Sequence, residues 1–272
     1  MPTLNTNGIE IFYEIHGTGQ PLVLISGLGY PAWEWHRMVP YLAQHFQVIT
    51  FDNRGVGKSS KPTGPYSAAL LAADTIGVLD QLGIQQATIV GHSMGGFIAQ
   101  ELALAYPRRV TKLIICSTNF GGPHHIPITA EAWTVLSDIT SDPVVRFKNG
   151  LVVSTAPSFV ENNPGIIQNW LEWRIQNPVD IVGYQAQMGI GLGLLAEAAA
   201  FENKLPALTV PTLIVFGAHD KVVPAANANL LAKQIPNSEI AILPSAGHFF
   251  PIETPEEAAR IFSDFILKEA AR

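Results

Sequence analysis

Gly91-His92-Ser93-Met94-Gly95 is the stretch of this chain whose residue types and spacing point most directly to chemistry. A serine with a glycine two residues to either side fits a turn so tight that the serine sits in strained backbone space and its neighbours must lack side chains. The strain lifts the Ser93 hydroxyl clear of the chain. It also aims the first amides of a following helix at the place where an oxyanion would form. The flanks agree: the apolar run Ala87-Thr88-Ile89-Val90 precedes, and a helix-like run from Gly96 to Tyr106 follows. Strand, turn and helix in that order form the context in which Gly-x-Ser-x-Gly presents a nucleophile.

A serine hydroxyl is a poor nucleophile at neutral pH and needs a base, which in turn needs an acid to orient it. In this arrangement the partners follow in the order serine, acid, histidine. Leu213-Ile214-Val215-Phe216-Gly217-Ala218-His219-Asp220 reads as a strand running into a loop that carries Asp220. Ala241-Ile242-Leu243-Pro244-Ser245-Ala246-Gly247-His248 reads the same way and carries His248. Ser93, Asp220 and His248 are therefore the candidate triad, each at the carboxyl end of a strand, where ligands of parallel sheets gather. His219 precedes the base in chain order and reads as a packed loop residue. His92 reads as packing beneath the site. His124 and His125 have no acidic or thiol partner at ligand spacing, so no metal is expected.

The oxyanion requires two amide donors. Met94 N–H, directly after the nucleophile, is one candidate. Leu28 N–H, in Ser26-Gly27-Leu28-Gly29 after an apolar strand, is the other. Leu28, Tyr30, Trp33, Met94, Phe120 and Phe249 would make the substrate pocket apolar. The loop from Phe51 to Ser59 contains glycines and Lys58-Ser59 but lacks phosphate-loop spacing, so it reads as a structural turn fixed by Asp52 and Arg54.

The elements that must position these groups alternate along the chain. Strands are expected at Thr3–Thr6, Ile9–His16, Pro21–Ile25, Gln47–Phe51, Ala87–Gly91, Lys112–Ser117, Thr212–Phe216 and Ile240–Leu243. Helices are expected at Trp35–His45, Ser67–Leu82, Ser93–Tyr106, Ala225–Ile235 and Pro255–Glu269. The middle strands are continuous apolar runs, as in parallel strands covered on both faces. The first two strands are close enough to form an antiparallel edge pair. The pattern predicts an α/β fold: a mostly parallel, eight-stranded twisted sheet flanked by helices.

One segment breaks the rhythm. Between Thr118 and Leu208 there is no clear strand, only helix-like pieces separated by Pro127, Pro143, Pro157, Pro164 and Pro178, with Trp133, Phe159, Trp170 and Trp173 among them. The expected division is a core of residues 1–120 and 206–272 with a helical cap inserted over 121–205. Within it, Met188-Gly189-Ile190-Gly191-Leu192-Gly193 reads as a close packing contact or bend, or else as a lid hinge.

The 272 residues suffice for one large domain, and a composition 47% hydrophobic and 14% charged is that of a globular chain. A net charge of −6 without a basic run argues against nucleic acid or anionic membranes as partners. The single cysteine, Cys116, lies in an apolar strand and allows no internal disulfide. No signal peptide or membrane helix is visible, so a cytoplasmic location is expected.

These motifs resemble the α/β-hydrolase fold superfamily over nearly the whole chain. The likeness rests on Ser26-Gly27-Leu28-Gly29, Asp52-Asn53-Arg54-Gly55-Val56-Gly57, Gly91-His92-Ser93-Met94-Gly95-Gly96, Gly217-Ala218-His219-Asp220 and Gly247-His248. It is nearest to small bacterial carboxylesterases and to lactonases of the enol-lactone and acyl-homoserine-lactone types. In many relatives a histidine occupies the place of Ser26. Serine at position 93 separates the chain from dehalogenases and epoxide hydrolases, which use aspartate there. The absence of a Gly-Gly-x-Ser-x-Gly elbow separates it from prolyl aminopeptidases. The resemblance implies a cofactor-free serine hydrolase acting on small hydrophobic esters or lactones. Carbon–carbon bond hydrolysis or perhydrolysis by the same triad, and a non-catalytic receptor on the same fold, remain alternatives.

Overall fold

The short apolar runs become the centre of one sheet. A computed structural model describes residues 2–138, 140–196 and 198–268. Its strands are β1 (Thr3–Thr6), β2 (Ile9–His16), β3 (Gln20–Ile25), β4 (Phe46–Phe51), β5 (Ala87–His92), β6 (Val110–Cys116), β7 (Thr212–Gly217) and β8 (Ser238–Leu243). They lie in the order β1-β2-β4-β3-β5-β6-β7-β8. β2 is antiparallel to both β1 and β4, and all other pairs are parallel. The sheet is the expected eight-stranded, mostly parallel one. The chain leaves β3 towards β4 on one side and returns to β5 on the other. The carboxyl ends of β3 and β5 thus flank the point where the winding reverses, the crevice in which sheets of this kind bind ligands.

Alternate residues of each central strand feed two cores. Val23, Ile25, Ile89, Leu113, Ile115, Ile214 and Phe216 pack on one face. There they meet α2 (Ala68–Gln81), α3 (Met94–Ala105) and α9 (Asn227–Gln234). Leu22, Leu24, Val90, Ile114, Leu213 and Val215 pack on the other. Their partners are the short α1 (Val39–Leu42), α10 (Phe250–Glu253) and α11 (Pro255–Leu267). Full burial of each such side chain contributes about 1.5–3 kcal/mol. The Glu269 end of the last expected helix lies outside the described residues. The helix expected at Trp35–His45 is instead a 3-10 turn (Ala32–Trp35) and the four-residue α1. Pro40 has no amide hydrogen to donate, so it is tolerated only in a first helical turn and fixes where α1 begins.

Between β6 and β7 the described chain holds no strand. It forms α4 (Ala130–Leu136), α5 (Pro143–Ser154), α6 (Phe159–Asn162), α7 (Pro164–Gln176) and α8 (Ile181–Gly193). Thr129, Asp142 and Asp180 accept first-turn amides and set the starts of α4, α5 and α8. The glycines at 189 and 193 have open space where a Cβ would stand, so they mark no close contact. The close approach is at Gly183, where a Cβ would run into the Gly55 carbonyl.

Candidate active site

Ser93 sits between β5 and α3 with φ 54° and ψ −118°, a strained conformation worth about 1–3 kcal/mol. Sterics explain the glycines. A Cβ on Gly91 would strike the Gly95 carbonyl, and one on Gly95 would strike that of Ile25. Ser93 N–H donates to Cys116 O at 2.9 Å, and Gly96 N–H donates to Ser93 O at 2.9 Å, so the turn is held from both sides.

Asp220 and His248 meet across the loops that follow β7 and β8. His248 Nδ1–H donates to Asp220 Oδ2 at 2.9 Å. The other oxygen, Oδ1, accepts the amides of Val222 (2.9 Å) and Val223 (2.8 Å), which fixes the carboxylate plane. This bond fixes the ring so that, in its neutral tautomer, the lone pair is on Nε2. Ser93 and His248 both line one cavity of about 260 Å³. The structure therefore brings the three expected residues together at the carboxyl edge of the sheet.

The loop after β3 forms another wall. Gly27 N–H donates to Glu34 Oε2 at 2.8 Å, and Gly29 N–H donates to Gln187 Oε1 at 3.0 Å. Leu28 N–H, between them, meets no protein acceptor among the described residues. Met94 N–H lies in the first turn of α3, where helical geometry leaves amides without an internal partner. Ser26 donates its hydroxyl to Pro31 O at 3.1 Å and closes the loop on itself.

Not every expected pocket residue reaches the cavity. Leu28, Tyr30 and Phe249 line it. Phe120 does not: it is 1% exposed and belongs to the core under α3, where its carbonyl accepts Phe201 N–H at 2.8 Å. The Met94 side chain also packs into that core. Trp33 stacks between Trp173 (4.0 Å) and His36 (4.1 Å) and faces a separate surface cleft. His219 is exposed rather than packed. Asp52 accepts the amides of Ala32 and Lys58, and Arg54 pairs with Asp74 at 2.5 and 2.6 Å, so that loop is held as expected.

Residues 22–261 match the model of the alpha/beta hydrolase family. The chain belongs to that family. It is 31% identical to the carbamate-hydrolase candidate RutD of Azorhizobium caulinodans, over 98% of this chain and 97% of that one. It is 30% identical to 3-oxoadipate enol-lactonase 2 of Acinetobacter baylyi, over 93% of this chain and 92% of that one. The solved structure of Est816, described as an N-acyl homoserine lactone degrading enzyme, superposes with a TM-score of 0.81 at 30% identity, covering 97% of this chain and all of that one. Hydrolase chemistry is common to these names; the bond cleaved is not.

Within this hydrolase, one buried group escaped the sequence reading. Glu34, 0% exposed, holds His92 Nδ1 at 2.8 Å with its second oxygen. His92 Nε2–H donates in turn to the His248 carbonyl at 2.8 Å. Burial opposes charge on His92, but Glu34, the His248 carbonyl and Asp220 outweigh it and raise its pKa. The surroundings therefore favour the protonated form of His92, and the ring ties the Leu28 loop to the His248 loop beneath Ser93. The signal in the sequence was a lone carboxylate between Trp33 and Trp35, since a charge in an apolar run requires a buried partner. Glu253 braces the same region from the other side, accepting Gly247 N–H (3.0 Å) and Ala156 N–H (2.6 Å).

Proposed function

We propose that this protein is a serine hydrolase that cleaves a carboxylic ester or lactone through an acyl-enzyme. The observation that carries the reading is the Asp220–His248 hydrogen bond beside the cavity that His248 shares with Ser93. In this reading His248 Nε2 takes the Ser93 proton as Oγ attacks the carbonyl carbon. The Leu28 and Met94 amides receive the oxyanion. The alkoxide then leaves with the proton from His248. Water, deprotonated by His248, attacks the acyl carbon and releases the acid, restoring Ser93. Asp220 holds the imidazolium that forms at each half-reaction. Tyr30 and Phe249 form apolar walls for the substrate, and the helices between β6 and β7 act as its cap. No step calls for a cofactor.

The test is hydrolysis of p-nitrophenyl esters and of neutral lactones by the wild type and by Ser93→Ala. A folded variant with kcat reduced by about 10⁴- to 10⁶-fold is expected. Near-normal turnover by Ser93→Ala would sink the assignment. Turnover by the wild type confined to a vinylogous diketone would move the reading to carbon–carbon bond hydrolysis by the same residues.

A further inference from the structure

Two guanidinium groups line the Ser93 cavity, and among the described residues no carboxylate pairs with either. Arg146 comes from α5 and Arg174 from α7. The Arg146 side chain has no hydrogen bond or ion pair among the described residues, and its Nε is shut off from water. Arg174 lies over the rings of Tyr30 (4.4 Å) and Trp173 (5.0 Å) and gives one N–H to Gly29 O at 3.3 Å. Its side chain also hydrogen-bonds the Tyr30 hydroxyl, a neutral partner whose pKa burial raises, so none of these contacts neutralises its charge. The one acid lining the cavity, Glu34, is already engaged by Gly27 and His92.

Both arginines also line a second cavity of about 600 Å³, together with Tyr30, Phe147 and Tyr184, so the two spaces adjoin along these shared residues. Asp138 borders that second space. Its Oδ1 is occupied by Thr140 and Ser141, and it forms no ion pair with either arginine. Shutting a guanidinium donor from water without a partner is costly, and the planar fork of arginine matches a carboxylate. The protein as a whole carries a net charge of −6 and offers no general attraction to anions, so this positive spot is local.

We infer that the substrate is an ester or lactone bearing a second, free carboxylate, which Arg146 and Arg174 bind at the junction of the two cavities while Ser93 reaches the carbonyl. The inference rests on the ester-cleaving reading above and adds the charge of the substrate. An adjacent anchor of this kind would let the arginines hold one end of an acyl chain while the Leu28 loop receives the other.

The experiment compares p-nitrophenyl pentanoate with the mono-p-nitrophenyl ester of glutarate, which has the same acyl length with a carboxylate in place of the terminal methyl. The wild type should favour the anionic ester in kcat/KM. In Arg146→Met and Arg174→Met, which keep the apolar stem, that preference should fall by about ten- to hundredfold, the worth of a charged hydrogen bond. Free glutarate should inhibit the wild type competitively, and less in high salt. A wild type that prefers the neutral ester, or a preference unchanged in both variants, would overturn the inference. If neither ester is turned over, the hydrolytic reading fails by itself. Calorimetric titration with glutarate then decides the carboxylate site separately: binding weakened in the arginine variants supports it, and no binding to the wild type overturns it.

Discussion

Replacing Glu34 in two ways separates its charge from its hydrogen bonds. Glu34→Ala removes the acceptor of Gly27 N–H and the counter-ion of His92 at a point with no solvent exposure. Breaking one side of a buried ion pair costs about 3–5 kcal/mol, and an orphaned amide is part of that loss. The free Leu28 amide beside Gly27 would lose its fixed aim, and a misplaced oxyanion donor costs about 10²–10³ in kcat. Glu34→Gln differs. Its amide oxygen can still accept Gly27 N–H, its NH₂ can donate to a neutral His92 Nδ1, and His92 Nε2–H can still reach the His248 carbonyl. All the contacts survive provided His92 gives up its proton, so the expected loss is about 1 kcal/mol, the net worth of a single hydrogen bond, and less than tenfold in kcat. Urea unfolding and ester kinetics measure both variants, and ¹⁵N NMR of the His92 ring reports imidazolium in the wild type and neutral imidazole in Glu34→Gln. Alanine and glutamine variants that are equally impaired, or an alanine variant as stable and active as the wild type, would refute the network.

Two further substitutions probe the contacts between the inserted helices and the sheet. Gln187→Leu roughly keeps the volume but orphans Gly29 N–H and the Arg54 carbonyl, so we expect a loss of about 2–6 kcal/mol in urea unfolding, from about 1–3 kcal/mol per orphaned group, and a rise in KM larger than any fall in kcat. A fall in kcat alone would show that the contact sets chemistry rather than cap position. Burial pushes the Glu253 carboxyl up to about 7 from 4.5, against the Ala156 and Gly247 amides that favour its ionised form, with Asp220 adding to the rise. A folded pKa above the unfolded one gives a contribution that is fully present below pH 4.5 and lost as pH rises through 7. The unfolding free energy of the wild type minus that of Glu253→Gln should therefore fall by up to about 3 kcal/mol across that interval and level off above it. A difference that is flat or climbs with pH would contradict this.

What the sequence disclosed follows from how local each requirement is. Gly91 and Gly95 are dictated by backbone atoms a few residues away, and Asp220 and His248 follow apolar runs that can only be strands. A reader of the chain meets those constraints in order. The supports are different in kind. Gln187 reaches Gly29 across 158 residues, and Glu253 reaches Ala156 across 97, so nothing near either residue names its partner. Pocket walls are hard for another reason. A loop position at a strand end does not say which way its side chain turns, and so Tyr30 faces the cavity while Trp33 turns to Trp173 and Phe120 turns into the core. Arg146 and Arg174 gave no signal, because a charged residue on a helix is ordinarily a solvated one.

The placement of the anchors bears on how such a site changes its substrate. The segment between β6 and β7 grips the core at the residues beside the chemical groups. Gln187 takes the amide next to Leu28, Ser154 O accepts the amide of His248 at 2.8 Å, and Glu253 joins Ala156 to the amide that precedes His248. Any substitution that shifts these helices as a body therefore shifts the Leu28 loop and His248 as well. Side chains that enter the cavity without bracing anything are under no such restraint. Arg146, Leu136 and Val179 line the cavity, and among the described residues none of them makes a side-chain hydrogen bond to the core. Change at these positions is expected to alter the shape and charge of the cavity while leaving Ser93, Asp220 and His248 where they stand. On a frame held this way, substrate class is expected to vary faster than reaction class, in keeping with relatives of about 30% identity that share the fold and carry the names of different hydrolases.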